Sequence, residues 1–194
     1  MIRYSVSTIL LLLASFVIQQ FLPTFTGLYD SRVLLVQLAF LCSAVTVGPP
    51  TMLLLAFIGG FLWDAQCTIA PHGGDPLIYS HKVEALRFGY SILLFAAMGF
   101  LMQGIQPLFH QGKWHVSALL SGVAIMLYLL AELAIITFVR GDAIFTWAMA
   151  MQIVYTGLLT MVFSPFVFAL LFLISRWCGH SINPDIARRR RRLA

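Results

Sequence analysis

Residues 33–63 read VLLVQLAFLCSAVTVGPPTMLLLAFIGGFLW, and this stretch decides the fold. It runs for 31 residues without a charged side chain. As one helix it would be about 46 Å long, whereas the hydrocarbon core of a bilayer is about 30 Å thick. Gly48, Pro49 and Pro50 interrupt it, because proline lacks an amide proton and clashes with the preceding turn. The sequence therefore predicts two short apolar helices here, which form either a pair of crossings or a re-entrant hairpin.

The rest of the chain has the same apolar character. Hydrophobic residues occupy 60% of the 194 positions and charged residues 10%, whereas soluble proteins carry about 25% charged residues. Four further apolar stretches come close to the length of about 20 residues that one helical crossing needs. The predicted crossings are 5–22, 33–47, 51–63, 88–102, 116–139 and 144–174. The count is therefore six crossings, or four crossings and a hairpin.

The predicted fold is an all-α, polytopic transmembrane bundle of about six helices. In lipid every backbone amide needs a partner inside the structure, so spanning segments are helices or closed barrels. The alternating pattern of barrel strands does not occur in these stretches. We assign residues 1–176 to the helical bundle and residues 177–194 to a basic cytoplasmic tail.

Basic residues predict which side of the membrane each terminus occupies. Under the positive-inside rule, the arginines and lysines of short flanking loops stay in the cytoplasm. Six crossings place both termini inside, together with Arg3, Lys113 and Arg176. The same side then receives the basic run Arg188, Arg189, Arg190, Arg191 and Arg192. We therefore predict a multi-pass protein with both termini in the cytoplasm.

The five-arginine run has more than one possible partner. A basic block can bind nucleic acid by releasing counterions from phosphate. A basic tail that follows a last crossing normally lies on the anionic inner leaflet, where each charge contributes about 1 kcal/mol. We predict contact with membrane lipids or with an acidic cytoplasmic partner, and no nucleic acid.

Sequence motifs for metal binding and catalysis are absent. The chain has three cysteines and five histidines, and none of them forms an HExxH or CxxC pattern. Catalysis inside a membrane usually needs several polar side chains at one depth. We therefore predict no metal, no cofactor and no enzymatic activity.

Two carboxylates stand out from this apolar background. Glu132 lies within a predicted crossing, where an acidic residue costs about 2.5–3.5 kcal/mol on insertion scales. It is interpreted as a proton site, as a polar contact to a partner helix, or as a residue that reaches the interface beside Arg140. Asp64 ends a helix in which Ala56 and Gly60 are four residues apart, a spacing that lets helix backbones approach closely.

A family resemblance adds to this reading. Residues 49–64 read PPTMLLLAFIGGFLWD, and this stretch resembles the proline-led, glycine-rich helix ending in aspartate of the rod shape-determining protein MreD family. The length of the chain and its even number of predicted crossings are similar to that family as well. The motif match carries over the positions Pro49, Gly59, Gly60 and Asp64.

The resemblance implies a bacterial inner-membrane protein of the cell-elongation complex, without known catalysis. Such a protein works beside MreC, and with MreB, RodA and a transpeptidase, in side-wall peptidoglycan synthesis and the regulation of cell shape. The family's fold is similar to the substrate-binding subunit of energy-coupling-factor transporters. The sequence leaves two hypotheses, a scaffold of this complex and a substrate-binding membrane subunit of a vitamin transporter. In the second, a ligand is held near Glu132.

Overall fold

The computed structural model describes residues 2–29, 31–69, 89–110, 114–140 and 146–179. Within these ranges the protein is all-helical, as the sequence predicts, with six α-helices and one short 3₁₀ helix, Thr26–Leu28, after the first of them. The α-helices are α1 Ile2–Phe21, α2 Leu35–Thr46, α3 Pro49–Ile69, α4 Tyr90–His110, α5 Trp114–Arg140 and α6 Trp147–Trp177.

Four of the described helices are long and apolar enough to cross a membrane. The crossing candidates are Arg3–Phe21, Tyr90–Pro107, Val116–Val139 and Trp147–Trp177. α2 has 12 residues and measures about 18 Å, and α3 has 21 residues and measures about 31 Å, at 1.5 Å per residue. The prediction of a helical protein with several apolar, membrane-compatible helices is therefore confirmed.

α2 lies at the centre of the bundle. It packs against each of the other five α-helices, and these form a closed ring in the order α1, α3, α4, α5, α6 around it. Every residue from Val36 to Thr46 is buried. A helix buried on all sides needs an apolar sequence without a charge, which is what the first half of the uncharged stretch provides.

Neighbouring helices in the chain run in opposite directions. The Tyr4 hydroxyl near the start of α1 donates to Thr46 Oγ1 at the end of α2, at 2.8 Å. Ser7 Oγ on α1 lies 3.5 Å from Cys178 Sγ, which follows α6. The first helix therefore begins at the end of the bundle where the last helix finishes.

Two helices extend well beyond their predicted ends. α3 continues six residues beyond its predicted end at Trp63 and includes Asp64, so only α2 is short. α4 continues beyond its predicted end at position 102 to His110. The added turns of α4 contain two glutamines, and Gln103 and Gln106 donate from Nε2 to the carbonyl oxygen of Val47 at 3.3 and 3.4 Å. The apolar pattern predicts that α4 ends before these glutamines. Their hydrogen bonds to another part of the fold allow the helix to continue.

The predicted basic tail falls mostly outside the described residues. α6 ends at Trp177, and Cys178 and Gly179 form a turn after it. The five arginines of the run lie beyond these positions. The boundary between bundle and tail therefore stays a prediction.

Candidate functional site

The motif helix α3 begins at its two prolines. Pro49 and Pro50 are exposed, and the first backbone hydrogen bond of the helix runs from Met52 N to Gly48 O at 3.0 Å. Proline suits the first turn because the amide protons there have no partner within the helix. The two prolines therefore separate α3 from α2 and fix where α3 starts.

The small residues of α3 face the inside of the bundle. A Cβ added to Gly59 would lie 2.8 Å from Phe95 Cε1, and one added to Gly60 would lie 2.5 Å from Ile92 Cα. Both contacts are to α4. Ala56, one turn earlier, is 1% exposed. Gly59 and Gly60 therefore bring α3 and α4 together, and Ala56 is buried on the same helix.

The opposite side of α3 is apolar and exposed. It is formed by Leu53, Leu54, Phe57 and Phe61, and we call it the outer face of α3. The rings of Phe57 and Phe61 stack with their centroids 6.2 Å apart. In a bilayer such a face contacts lipid chains or the helix of another protein.

Asp64 ties the end of α3 to the start of α4. Its side chain is 2% exposed, and Oδ2 accepts a hydrogen bond of 2.6 Å from the amide of Gly89. Gly89 has a φ of +102°, which favours glycine. Because the amide precedes the first helical residue, Tyr90, the carboxylate also lies at the positive end of the α4 dipole.

Glu132 lies beside the motif helix, although the two are far apart in sequence. It is half-buried on α5, and its carboxyl lies near the indole nitrogen of Trp63. Arg32 and Asp64 are within electrostatic range of it. The Trp63 indole is 8% exposed, and Nε1 has no hydrogen-bonding partner of good geometry among the described residues. The structure therefore brings together the two carboxylates that stand out in the sequence.

Tyr128, which lies within electrostatic range of both carboxylates, also lines a cleft between α2, α4 and α5. Gln37 and Tyr128 line it, each 2% exposed. Both amide atoms of Gln37 and the Tyr128 hydroxyl lack a hydrogen-bonding partner of good geometry in the described part of the chain. The remaining walls are apolar and come from Phe40, Leu41, Phe95 and Met98. Tyr128 is four residues before Glu132, so the two side chains lie on one face of α5.

Sequence reasoning missed the contribution of Gln37 and Tyr128. One signal was present, because Gln37 is the most polar side chain in the 31-residue uncharged stretch. Tyr128 has the helical spacing that places it beside Glu132. No pattern in the sequence pairs α2 with α5, however, so the meeting of these residues follows only from the fold.

The remaining site predictions lie apart from this region. No group of three or more His, Cys, Asp or Glu side chains that could hold a metal occurs among the described residues. The basic run at 188–192 lies outside the residues that the structure describes. Comparison of the chain with protein-family models, with curated proteins and with solved structures finds no match. The motif of residues 49–64 and the geometry of the bundle are therefore the features that bear on function.

Proposed function

We propose that this protein is a non-enzymatic inner-membrane component of a bacterial cell-elongation complex. In this role it helps determine rod shape by scaffolding side-wall peptidoglycan synthesis beside MreC. MreB, RodA and a transpeptidase belong to the same complex. The proposal follows the resemblance of residues 49–64 to the MreD family.

One observation carries the proposal. The residues of the motif have separate structural uses along a single helix: the prolines start it, Gly59 and Gly60 pack it on α4, and Asp64 joins its end to Gly89. A helix built in this way is rigid, and its outer face stays available to a neighbour in the membrane. A scaffold needs such a fixed apolar surface, because helix association in lipid depends on close packing.

The proposed topology has six crossings, or four crossings with α2 and α3 as a hairpin, and both termini in the cytoplasm. The alternating directions of neighbouring helices agree with an even number of crossings, and Arg3 and Arg176 both lie at the end of the bundle near Cys178. The positive-inside rule assigns that end to the cytoplasm. The arginine tail then contacts the anionic inner leaflet or an acidic cytoplasmic partner. The proposed fold is similar to the substrate-binding subunit of energy-coupling-factor transporters.

The first test is depletion of the protein in its own host, followed by microscopy of cell width with and without vitamin supplements. Rounded or swollen cells in both media support the scaffold. Normal cell shape, or growth restored by one vitamin alone, rejects it.

The second test is co-purification with MreC, with variants chosen from the structure. The change Phe57→Ala with Phe61→Ala alters the outer face of α3, and we expect it to reduce the amount of MreC recovered. The matched control is Phe163→Ala with Phe166→Ala, an exposed ring pair on α6 whose centroids are 6.5 Å apart. Failure of the unaltered protein to recover MreC would count against the scaffold.

The cleft between α2, α4 and α5 favours a second candidate function, the substrate-binding subunit of a small-molecule transporter. Its accessible walls are apolar, and Gln37 and Tyr128 are among the residues that line it, as in the apolar part of a ligand site. A vitamin is far larger than this cleft, so binding would require α2 and α5 to separate. Saturable binding of one vitamin by the purified protein supports this candidate, and no binding across a broad panel rejects it.

A further inference from the structure

The start of α2, the last turns of α3 and the second half of α5 enclose a group of polar side chains that the scaffold role does not use. We call it the polar cluster and define it by Gln37, Trp63, Tyr128 and Glu132. Gln37, Trp63 and Tyr128 are each more than nine-tenths buried. All three carry polar side-chain atoms without a hydrogen-bonding partner of good geometry among the described residues.

Buried polar atoms normally have hydrogen-bonding partners, because a buried atom without one has lost its hydration and gained no hydrogen bond in return. Such atoms occur on Gln37 of α2, Trp63 of α3 and Tyr128 of α5. The Glu132 carboxyl lies near Trp63 and Tyr128. Gln37 and Tyr128 supply an amide oxygen and a hydroxyl oxygen, which are both ligands for hard cations. Trp63 supplies only a donor, and it lies near the Glu132 carboxyl, which it can orient.

We propose that the polar cluster binds one small monovalent cation, Na⁺ or a proton, with Glu132 as its anionic ligand. Close packing limits the choice to a small ion, since Gln37, Trp63 and Tyr128 are buried, and the cleft beside Gln37 and Tyr128 has room for only about one water molecule. Na⁺ would be held by the Glu132 carboxylate with the oxygen atoms of Gln37 and Tyr128. A proton would bond to one oxygen of the same carboxylate. Either ion removes the negative charge from a site within the apolar bundle.

The charged and titratable groups around Glu132 agree with a cation. Asp64 on α3 is within electrostatic range and repels a second negative charge. Arg32 precedes α2 and is exposed, so water screens its attraction. Tyr128 faces the site from α5, and its hydroxyl lies near Gln37 of α2 and near Ser91 of α4, which are both neutral groups. The inference is independent of the scaffold role, since it requires no partner protein.

The test uses the purified full-length protein in detergent, with thermal unfolding followed in NaCl and in choline chloride of equal ionic strength. If Na⁺ is the ligand, a concentration ten times its Kd raises the unfolding midpoint by about 3–6 °C. Glu132→Gln and Gln37→Leu are expected to lose this rise. The matched control is Glu84→Gln, which alters the only other glutamate of the chain and is expected to keep it.

An infrared measurement keeps the proposal testable even where Glu132→Gln does not fold. In the Glu84→Gln protein, isotope-labelled glutamate reports on Glu132 alone. If Na⁺ binds, NaCl shifts the labelled carboxylate bands, and choline chloride does not. If a proton binds, acidification converts these bands into a carboxylic-acid band, and NaCl has no effect.

Two results would overturn the proposal. One is a Na⁺-dependent rise in the unfolding midpoint that Glu132→Gln retains in full. The other is a labelled spectrum that changes neither with NaCl nor with acidification. Loss of MreC recovery or of rod shape has no bearing on either result, so this inference and the scaffold function are tested separately.

Discussion

Replacing Gly60 by alanine tests the packing of α3 against α4 most directly. The added Cβ would lie 2.5 Å from Ile92 Cα and 2.6 Å from Ile92 N. Carbon atoms pack best at about 3.5–4.0 Å, so the two helices would have to separate locally by about 1 Å. The obstructing atoms belong to the backbone of α4, and no change of side-chain rotamer relieves the contact.

The expected loss of stability follows from two opposing effects. Overpacking a closely packed contact costs about 1–3 kcal/mol, and a backbone obstacle places Gly60→Ala near the upper end. Alanine favours a helix over glycine by about 1 kcal/mol, which offsets part of this cost. We therefore expect the free energy of unfolding to fall by about 1–2 kcal/mol.

The assay is reversible unfolding of the purified protein in mixed detergent micelles, followed by circular dichroism. Gly104→Ala is the matched control, because Gly104 lies in α4 and, apart from the backbone of α4 itself, no atom of the described residues lies within 4 Å of its added Cβ. We expect the control to be unchanged or more stable by up to about 1 kcal/mol. A Gly60→Ala protein as stable as Gly104→Ala would refute the close contact between α3 and α4.

Three further changes test individual contacts by the same assay. Ser121→Ala removes the 3.0 Å hydrogen bond to Ser164 between α5 and α6, and we expect a loss of about 0.6 kcal/mol; a loss several times larger would contradict this. Tyr4→Phe removes the 2.8 Å bond to Thr46 and should cost about 0.5–1.5 kcal/mol, and an unchanged stability would speak against that contact. Gln37→Leu removes two buried atoms without a hydrogen-bonding partner of good geometry among the described residues and should stabilise the protein in choline chloride by about 1–3 kcal/mol, whereas destabilisation would show that Gln37 has a partner under these conditions.

Much of the fold could be predicted from the sequence, because lipid allows few solutions. A chain with 10% charged residues and long apolar stretches has to satisfy its backbone within helices. The break before Pro49 was predictable for the same kind of local reason, since two adjacent prolines after a glycine end a helix, whereas single prolines lie inside α4 and α6. These conclusions depend on single residues and short stretches, which the sequence displays directly.

Helix ends were harder to predict, because tertiary contacts decide them. A charged residue such as Asp64 predicts the end of a helix at the membrane surface. In the structure α3 continues past Asp64, and its carboxylate accepts a hydrogen bond from the amide of Gly89. Gln103 and Gln106 likewise extend α4 by donating to Val47 O. In each case a partner distant in sequence satisfies a polar group that would otherwise end the apolar segment.

The polar cluster could not have been predicted, because its members come from three helices. The sequence singled out Glu132 for its cost in lipid, but gave no reason to pair it with Trp63 or Gln37. The central position of α2 provides that reason, since a helix in contact with all five others brings its one strongly polar side chain beside α5. A buried glutamine side chain lowers the stability of the fold unless its amide has a partner. We therefore regard Gln37 as a sign of a binding site.

The two faces of α3 also determine which substitutions can separate folding from partner binding. Gly60→Leu would place a large side chain against Ile92 and disturb the bundle itself, so a loss of partner recovery would have two explanations. Phe57 and Phe61 are exposed by 54% and 43%, and their truncation leaves the contact with α4 in place. A protein that keeps its stability but loses its partner after these changes would assign the outer face of α3 to binding. If these changes lower stability and partner recovery together, the outer face of α3 contributes to folding rather than to partner binding.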